Sequence, residues 1–236
     1  MKILGIDGSG LVASVAVVED DNLIGEYTTG YKKTHSQTLL PMLDELGKMI
    51  ELDLNTIDAI AVAAGPGSFT GLRIASATAK GLGLTLGCPL VSVPTVDAIA
   101  YNMWGSNGIV CPILDARRGQ VYTGLYSFDD NGAFNIVREQ CAVDFREIAE
   151  VINSRNELVT FLGDGVPVFR DVISDIIKVP YRFAPAHLNR QHASTVATLG
   201  LQYYLAGDCE PAADHRPEYL RLSQAERERL EKEGKA

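Results

Sequence analysis

An apolar run that ends in an aspartate and a tight turn, followed at once by a second apolar run, occurs twice in this chain. Residues 2–6 lead into Asp7-Gly8-Ser9-Gly10 and on to 12–18. Residues 109–114 lead into Asp115-Ala116-Arg117-Arg118-Gly119 and on to 120–128. Short apolar runs bounded by Gly, Asp and Asn are strand signals. After the first pair, Asp20-Asp21-Asn22 turns into a third strand at 23–29, and Ser36 is placed to cap a helix reaching residue 50. A strand at 59–63, a helix at 70–86, a strand at 90–93 and a short helix from Thr95 follow. The second pair is followed by a strand at 134–142, a helix at 145–152, a strand at 158–162, a helix after Gly165 and a helix at 194–206. The order βββαβαβα, begun again, predicts an α/β protein of two duplicated lobes, each a mixed sheet with helices on it. The lobes are expected at 1–107 and 108–222, with a tail at 223–236 that carries charges of both signs.

Composition removes several functions. The 236 residues carry 21 basic and 30 acidic side chains, a net charge of −9, so unaided binding of duplex nucleic acid, which needs a basic field, is not expected. At 46% hydrophobic and 22% charged the chain has the means to build a core. The uncharged runs are short and broken by Gly, Pro, Asn and Ser, so no membrane span is expected. The first residues run straight into a strand, so no leader is expected either, and the chain is placed in the cytoplasm. Cys88, Cys111, Cys141 and Cys209 form no CxxC pair, and His35, His187, His192 and His215 contain no helical i, i+4 pair. Neither supplies a metal site.

Two helices have more apolar surface than one sheet can cover. Between residues 59 and 110 the only charged side chains are Arg73, Lys80 and Asp97, so the helix at 70–86 lacks a polar face. In the helix at 36–50, Leu39, Leu40, Met42, Leu43, Leu46, Met49 and Ile50 span a wide arc, and Pro41 is expected in or near its first turn. Leu39 and Leu46, at the centre of that arc, should face the core. The flanks, with Leu40, Met42 and Met49 together with Ala75 and Ala79 of the next helix, are the expected partner surface.

The Asp turns resemble phosphate-binding devices, in which backbone N–H groups face the phosphate and the Asp orients metal-bound water. Asp7 and Ser9 fit that pattern. Opposite them, Asp115 is followed by Arg117 and Arg118 where glycines would let a phosphate approach, so the cradle is half built. The plainer reading, two hairpins closed by Asx bonds, is preferred for the pair. Gly65-Pro66-Gly67-Ser68-Phe69-Thr70-Gly71-Leu72-Arg73 is the densest turn signal. It lacks the lysine of a P-loop and any GxGxxG, and is equally a tight strand-to-helix connection capped by Ser68 or Thr70. No HExxH, GxSxG or Cys-His motif is present.

These residues together are those of a known family. Ile6-Asp7 with Ser9, His35-Ser36-Gln37 before Leu39-Leu40-Pro41, the Gly65 to Arg73 run, Asp115-Ala116-Arg117 with Gly119-Gln120-Val121-Tyr122, and Pro217-Glu218-Tyr219-Leu220-Arg221 resemble the bacterial TsaB (YeaZ) family from Ile3 to Arg221. The resemblance implies an actin-like ATPase (ribonuclease H-like) fold and a role in making N6-threonylcarbamoyladenosine next to the anticodon of tRNA. In that family a relative, TsaD, carries the metal and the chemistry. TsaB-like proteins dimerise with TsaD and act together with the ATPase TsaE.

The implied partners are therefore a TsaD-like subunit, a TsaE-like ATPase, a second copy of the chain when it is alone, and tRNA only through the complex. ATP is used by the partner proteins, and this chain requires no cofactor or metal and is not itself an enzyme. Two alternatives remain: a metal-independent peptidase-like protein, for which no activated nucleophile is recognisable, and an actin-like small-molecule kinase, disfavoured by Arg117 and Arg118.

Overall fold

The structure is a computed structural model and describes residues 1–31 and 34–221; the charged tail expected at 223–236 lies outside the described residues. The first half contains β1 (Lys2–Asp7), β2 (Ala13–Glu19), β3 (Asn22–Thr29), α1 (His35–Met49), β4 (Ala59–Gly65), α2 (Phe69–Leu86), β5 (Leu90–Pro94) and α3 (Thr95–Tyr101). The second contains β6 (Ile109–Asp115), β7 (Gln120–Phe128), β8 (Phe134–Asp144), α4 (Phe145–Arg155), β9 (Val159–Leu162), α5 (Val166–Ile176), β10 (Tyr181–Phe183) and α6 (Ala193–Leu205). Strand β10 is an addition to the sequence reading and makes the second half a full βββαβαβα. It is too short to show alternation, and is held by parallel pairing of Tyr181 with Val159 and Phe183 with Phe161.

The two five-stranded sheets have the same plan, β3-β2-β1-β4-β5 and β8-β7-β6-β9-β10. In each, the first two strands are antiparallel (Ile6 opposite Val15, Ile113 opposite Thr123), and the first also pairs in parallel with the fourth (Ile3 opposite Ala59, Ile109 opposite Val159). Ile3, Leu4 and Ile6 are all fully buried, which is why β1 is continuously apolar rather than alternating.

Helices α1 and α2 cover the outer face of the first sheet, and α4 and α5 that of the second. Between the sheets the last helices of each half change places. α3 presents Val96, Ile99 and Ala100 to Val110, Leu114 and Tyr126 of the second sheet. α6, expected to complete the second lobe, instead packs Val196, Ala197 and Leu199 on Ile3, Ala61 and Val91 of the first.

Polar contacts pin α6 there. Ser194 donates from N and Oγ to Glu26 Oε1 of β3 at 3.1 and 3.0 Å, Ala193 N donates to Ser14 Oγ of β2 at 2.9 Å, and His192 Nδ1 lies 3.2 Å from Glu26 Oε2. Burial pushes the Glu26 carboxyl up, but the bonds from His192 and Ser194 outweigh it and hold it below its ordinary value; the same bond to Glu26 raises His192.

Helix α1 also starts earlier than expected. Thr34, not Ser36, is its N-cap residue, because His35 is drawn into the core by Nε2 lying 2.8 Å from the Gly10 carbonyl. Pro41 therefore falls in the second turn rather than the first.

Candidate functional site

The two Asp turns meet across a cleft of about 340 Å³ between the lobes. On the first-lobe side β1 delivers Asp7 fully buried, and Ser9 donates to its Oδ1 from N at 2.8 Å and from Oγ at 2.7 Å. Oδ2 is buried with no hydrogen-bond partner. Burial pushes this carboxyl up to about 6, against the opposing bonds from Ser9. On the other side Asp115 Oδ1 accepts from Arg117 N at 2.8 Å and Oδ2 lies 3.4 Å from Arg117 Nη1. Both turns are thus closed by Asx bonds.

Arg117 and Arg118 hold φ of 67° and 58° in the hairpin between β6 and β7, a conformation that costs a non-glycine residue about 1 kcal/mol. Arg117 lines the cleft, and Arg118 is exposed outside its lining. Asp164, in the turn before α5, was not singled out from sequence. It accepts from Asp115 N at 3.2 Å, and burial raises its carboxyl. Arg117 and Arg221 are the cationic side chains in the lining of the cleft, and Gln191, also in the lining, has its Nε2 buried with no hydrogen-bond partner. Among the described residues no group of three or more His, Cys, Asp or Glu side chains could hold a metal ion.

The Gly65 to Arg73 run is the passage from β4 into α2, and its residue types follow from what touches them. Ser68 caps α2 by accepting from Gly71 N at 3.3 Å, and donates its own N–H to the Ser9 carbonyl at 2.6 Å. Thr70 is exposed and takes no part in the cap. Gly71 is buried where a side chain would meet the Gly8 carbonyl and the His35 ring. Gly65 has φ of 128°, with a cis bond to Pro66, and the Glu218 carbonyl stands where a Cβ would be. Gly67 packs in the same way on the Ser9 carbonyl. Phe69 stacks on Tyr219 with centroids 4.1 Å apart, and Arg73 lies 4.4 Å above Phe69 while donating Nε to the Tyr219 hydroxyl at 3.1 Å. Four separate sequence motifs are therefore one contact cluster.

The expected partner surface is corrected in part. Leu39 and Leu46 face the core as expected, and Leu40 and Met49 are 54% and 79% exposed. Met42, however, is 6% exposed, and Ala75 and Ala79 are wholly buried, so none of the three can meet a partner. Leu39, Met42, Leu43 and Leu46 form an i, i+3, i+4, i+7 stripe that one sheet face fully covers. Ala75 and Ala79 are small because α2 lies close against the sheet. The open surface is instead a groove between the two helices, lined by Leu40, Leu43, Gly47, Leu52, Leu54 and Leu82, and Leu84 is exposed elsewhere on α2.

One further polar cluster bears on the peptidase alternative. Ser92 Oγ, His215 Nδ1 and Glu210 Oε1 lie within 2.8 to 3.0 Å of one another. A nucleophile relay needs the serine and the acid on opposite ring nitrogens. Here both use Nδ1, and Nε2 is buried with no partner, so the set serves packing.

Comparison with known proteins places this geometry. A family model described as TsaD, tRNA N6-adenosine threonylcarbamoyltransferase, matches residues 22–229. The tRNA threonylcarbamoyladenosine biosynthesis protein TsaB of Bacillus subtilis is 33% identical over 234 residues, 98% of this chain and 99% of that protein. The Escherichia coli TsaB is 36% identical over 137 residues, 57% of this chain and 59% of that protein. The solved structure of YeaZ from Pseudomonas aeruginosa superposes with a TM-score of 0.77 at 26% identity, covering 93% of this chain and 99% of that one. The duplicated lobes are those of the actin-like, ribonuclease H-like ATPase fold. With the fold, the knitted Gly65 to Arg73 cluster and a relative matched along nearly its whole length, the chain belongs to the TsaB (YeaZ) family, among the proteins that the TsaD family model describes.

Proposed function

We propose that this chain is a non-catalytic subunit in the synthesis of threonylcarbamoyladenosine in tRNA. It dimerises with a TsaD-type catalytic subunit and supports transfer of the threonylcarbamoyl group to the adenosine next to the anticodon, together with a TsaE-type ATPase. The observation that carries this reading is the apolar face left open on α1 and α2. Leu40, which lines a groove of leucines, is more than half exposed, and so are Met49 and Leu84 elsewhere on the same two helices. Of the charges that line the groove, Asp44 and Lys48 are paired with each other at 2.6 Å and Glu51 is exposed with no ion pair among the described residues, so the face offers a partner apolar contact with one acidic side chain at its edge.

In this reading the chain needs no cofactor of its own, ATP is consumed by its partners, tRNA is reached through the complex, and the whole operates in the cytoplasm. No helix among the described residues is long and apolar enough to cross a membrane. Alone, the same face pairs with a second copy. The test is sedimentation of the chain with a purified TsaD-type subunit. Wild type should form a heterodimer, and Leu40→Asp with Leu84→Asp should not, at unchanged circular dichroism. A double variant that still binds would move the interface elsewhere.

A further inference from the structure

We propose that residues 217–221 are a latch that sets the opening between the two lobes. The segment leading to it is built into the first lobe. Glu210 and Leu90 exchange backbone hydrogen bonds at 2.9 Å, Lys80 of α2 donates to the carbonyls of Ala213 and His215 at 2.8 and 3.0 Å, and the His215 ring is buried against Ser92. From Pro217 the chain crosses the mouth of the cleft.

Its first-lobe end is strongly held, by Glu218 N on the Ala64 carbonyl at 2.7 Å and by Tyr219 stacked on Phe69 under the Arg73 guanidinium. Its second-lobe end is held by two side-chain bonds, Gln140 Nε2 of β8 to Glu218 Oε2 at 3.3 Å and Arg221 Nη1 to the Ala116 carbonyl. Glu218, Tyr219, Leu220 and Arg221 also line the cleft, so whatever opens the cleft must displace them. The asymmetry gives the direction of release. The stack and the backbone bond keep the strap on the first lobe, and the second lobe swings away when Arg221 and Gln140 let go.

Because the α2 turn that carries Phe69 and Arg73 continues into the outer helices, the same latch joins that surface to the Arg117 hairpin. The test is pulsed electron spin resonance on the full chain with Cys209→Ser, spin-labelled at Thr70→Cys and Arg118→Cys, two exposed positions on opposite sides of the cleft. The latched protein should give one narrow distance distribution. Gln140→Ala with Arg221→Ala should lengthen and broaden it, and Tyr219→Ala, which frees the other end, should do the same. Hydrogen exchange should rise about tenfold at 115–119 in both variants, while exchange in β1 and β6 stays slow and shows the fold intact. An unchanged distance distribution, or faster exchange confined to 217–221, would make the segment a passive tail and overturn the proposal.

Discussion

The Tyr126 hydroxyl, on β7 of the second sheet, donates to Asp97 Oδ1 in the first turn of α3 at 2.6 Å, so a helix encoded in the first half is fastened to the sheet of the second. Both residues are buried, and Phe134 stacks on Tyr126 with centroids 5.3 Å apart. Burial pushes the Asp97 carboxyl up to about 6; the Tyr126 bond opposes this, and Glu139 and Glu218 add to it.

That shift makes a stability prediction. Asp97→Asn keeps an acceptor for Tyr126 and removes the charge. Between the ordinary value of 3.8 and about 6 the folded state binds the extra proton, so the contribution of Asp97 to stability falls as pH rises through that window. Urea unfolding should find the variant more stable than the parent by about 1–3 kcal/mol at pH 8, with the difference gone below about pH 4. A variant less stable at pH 8 would contradict burial as the cause.

Gly71→Ala should run against helix propensity. Alanine favours a helix interior over glycine by about 1 kcal/mol, yet the new methyl would enter the Gly8 carbonyl and the His35 ring. Displacing that backbone should cost more than propensity returns, a net loss of about 1–3 kcal/mol in denaturant unfolding. A stabilised variant would show that the β1 turn yields freely.

Met42 and Leu40, two residues apart on α1, should respond in opposite ways. Met42→Asp places an unpaired charge in the core and should cost about 4 kcal/mol or more. Leu40→Asp should change stability by about 0.5 kcal/mol or less while abolishing partner binding. Thermal melts and sedimentation separate the two effects, and a Leu40→Asp protein that melts early would place Leu40 in the core.

What the sequence allowed depended on the range of the interactions. Strands β1, β4 and β6 announce themselves as nearly continuous apolar runs between turn residues, because burial on both faces leaves little room for a polar side chain. Both Asx-closed turns were legible, since an Asp two residues before the N–H it binds is a local device. The core position of Met42 was not, because an arc on a helix does not say how wide the covering sheet is. Placing α6 on the first sheet required the Glu26, His192 and Ser194 contacts, which join residues far apart in the chain. The role of Tyr219 was hidden for the same reason, as its partners Phe69 and Arg73 lie in another motif altogether.

The central claim, that this chain acts in tRNA modification through its α1–α2 face and not through chemistry of its own, is tested most directly by reconstitution. Purified TsaD-type and TsaE-type proteins, the adenylate-forming enzyme, tRNA, ATP, threonine and bicarbonate are incubated without the chain, with wild type, and with the Leu40→Asp, Leu84→Asp variant, and threonylcarbamoyladenosine is quantified in the tRNA. Wild type should switch modification on, the variant should leave it at the level seen without the chain, and the chain without the TsaD-type protein should produce none. Equal modification with and without the chain, or modification by the chain in the absence of that partner, would contradict the account.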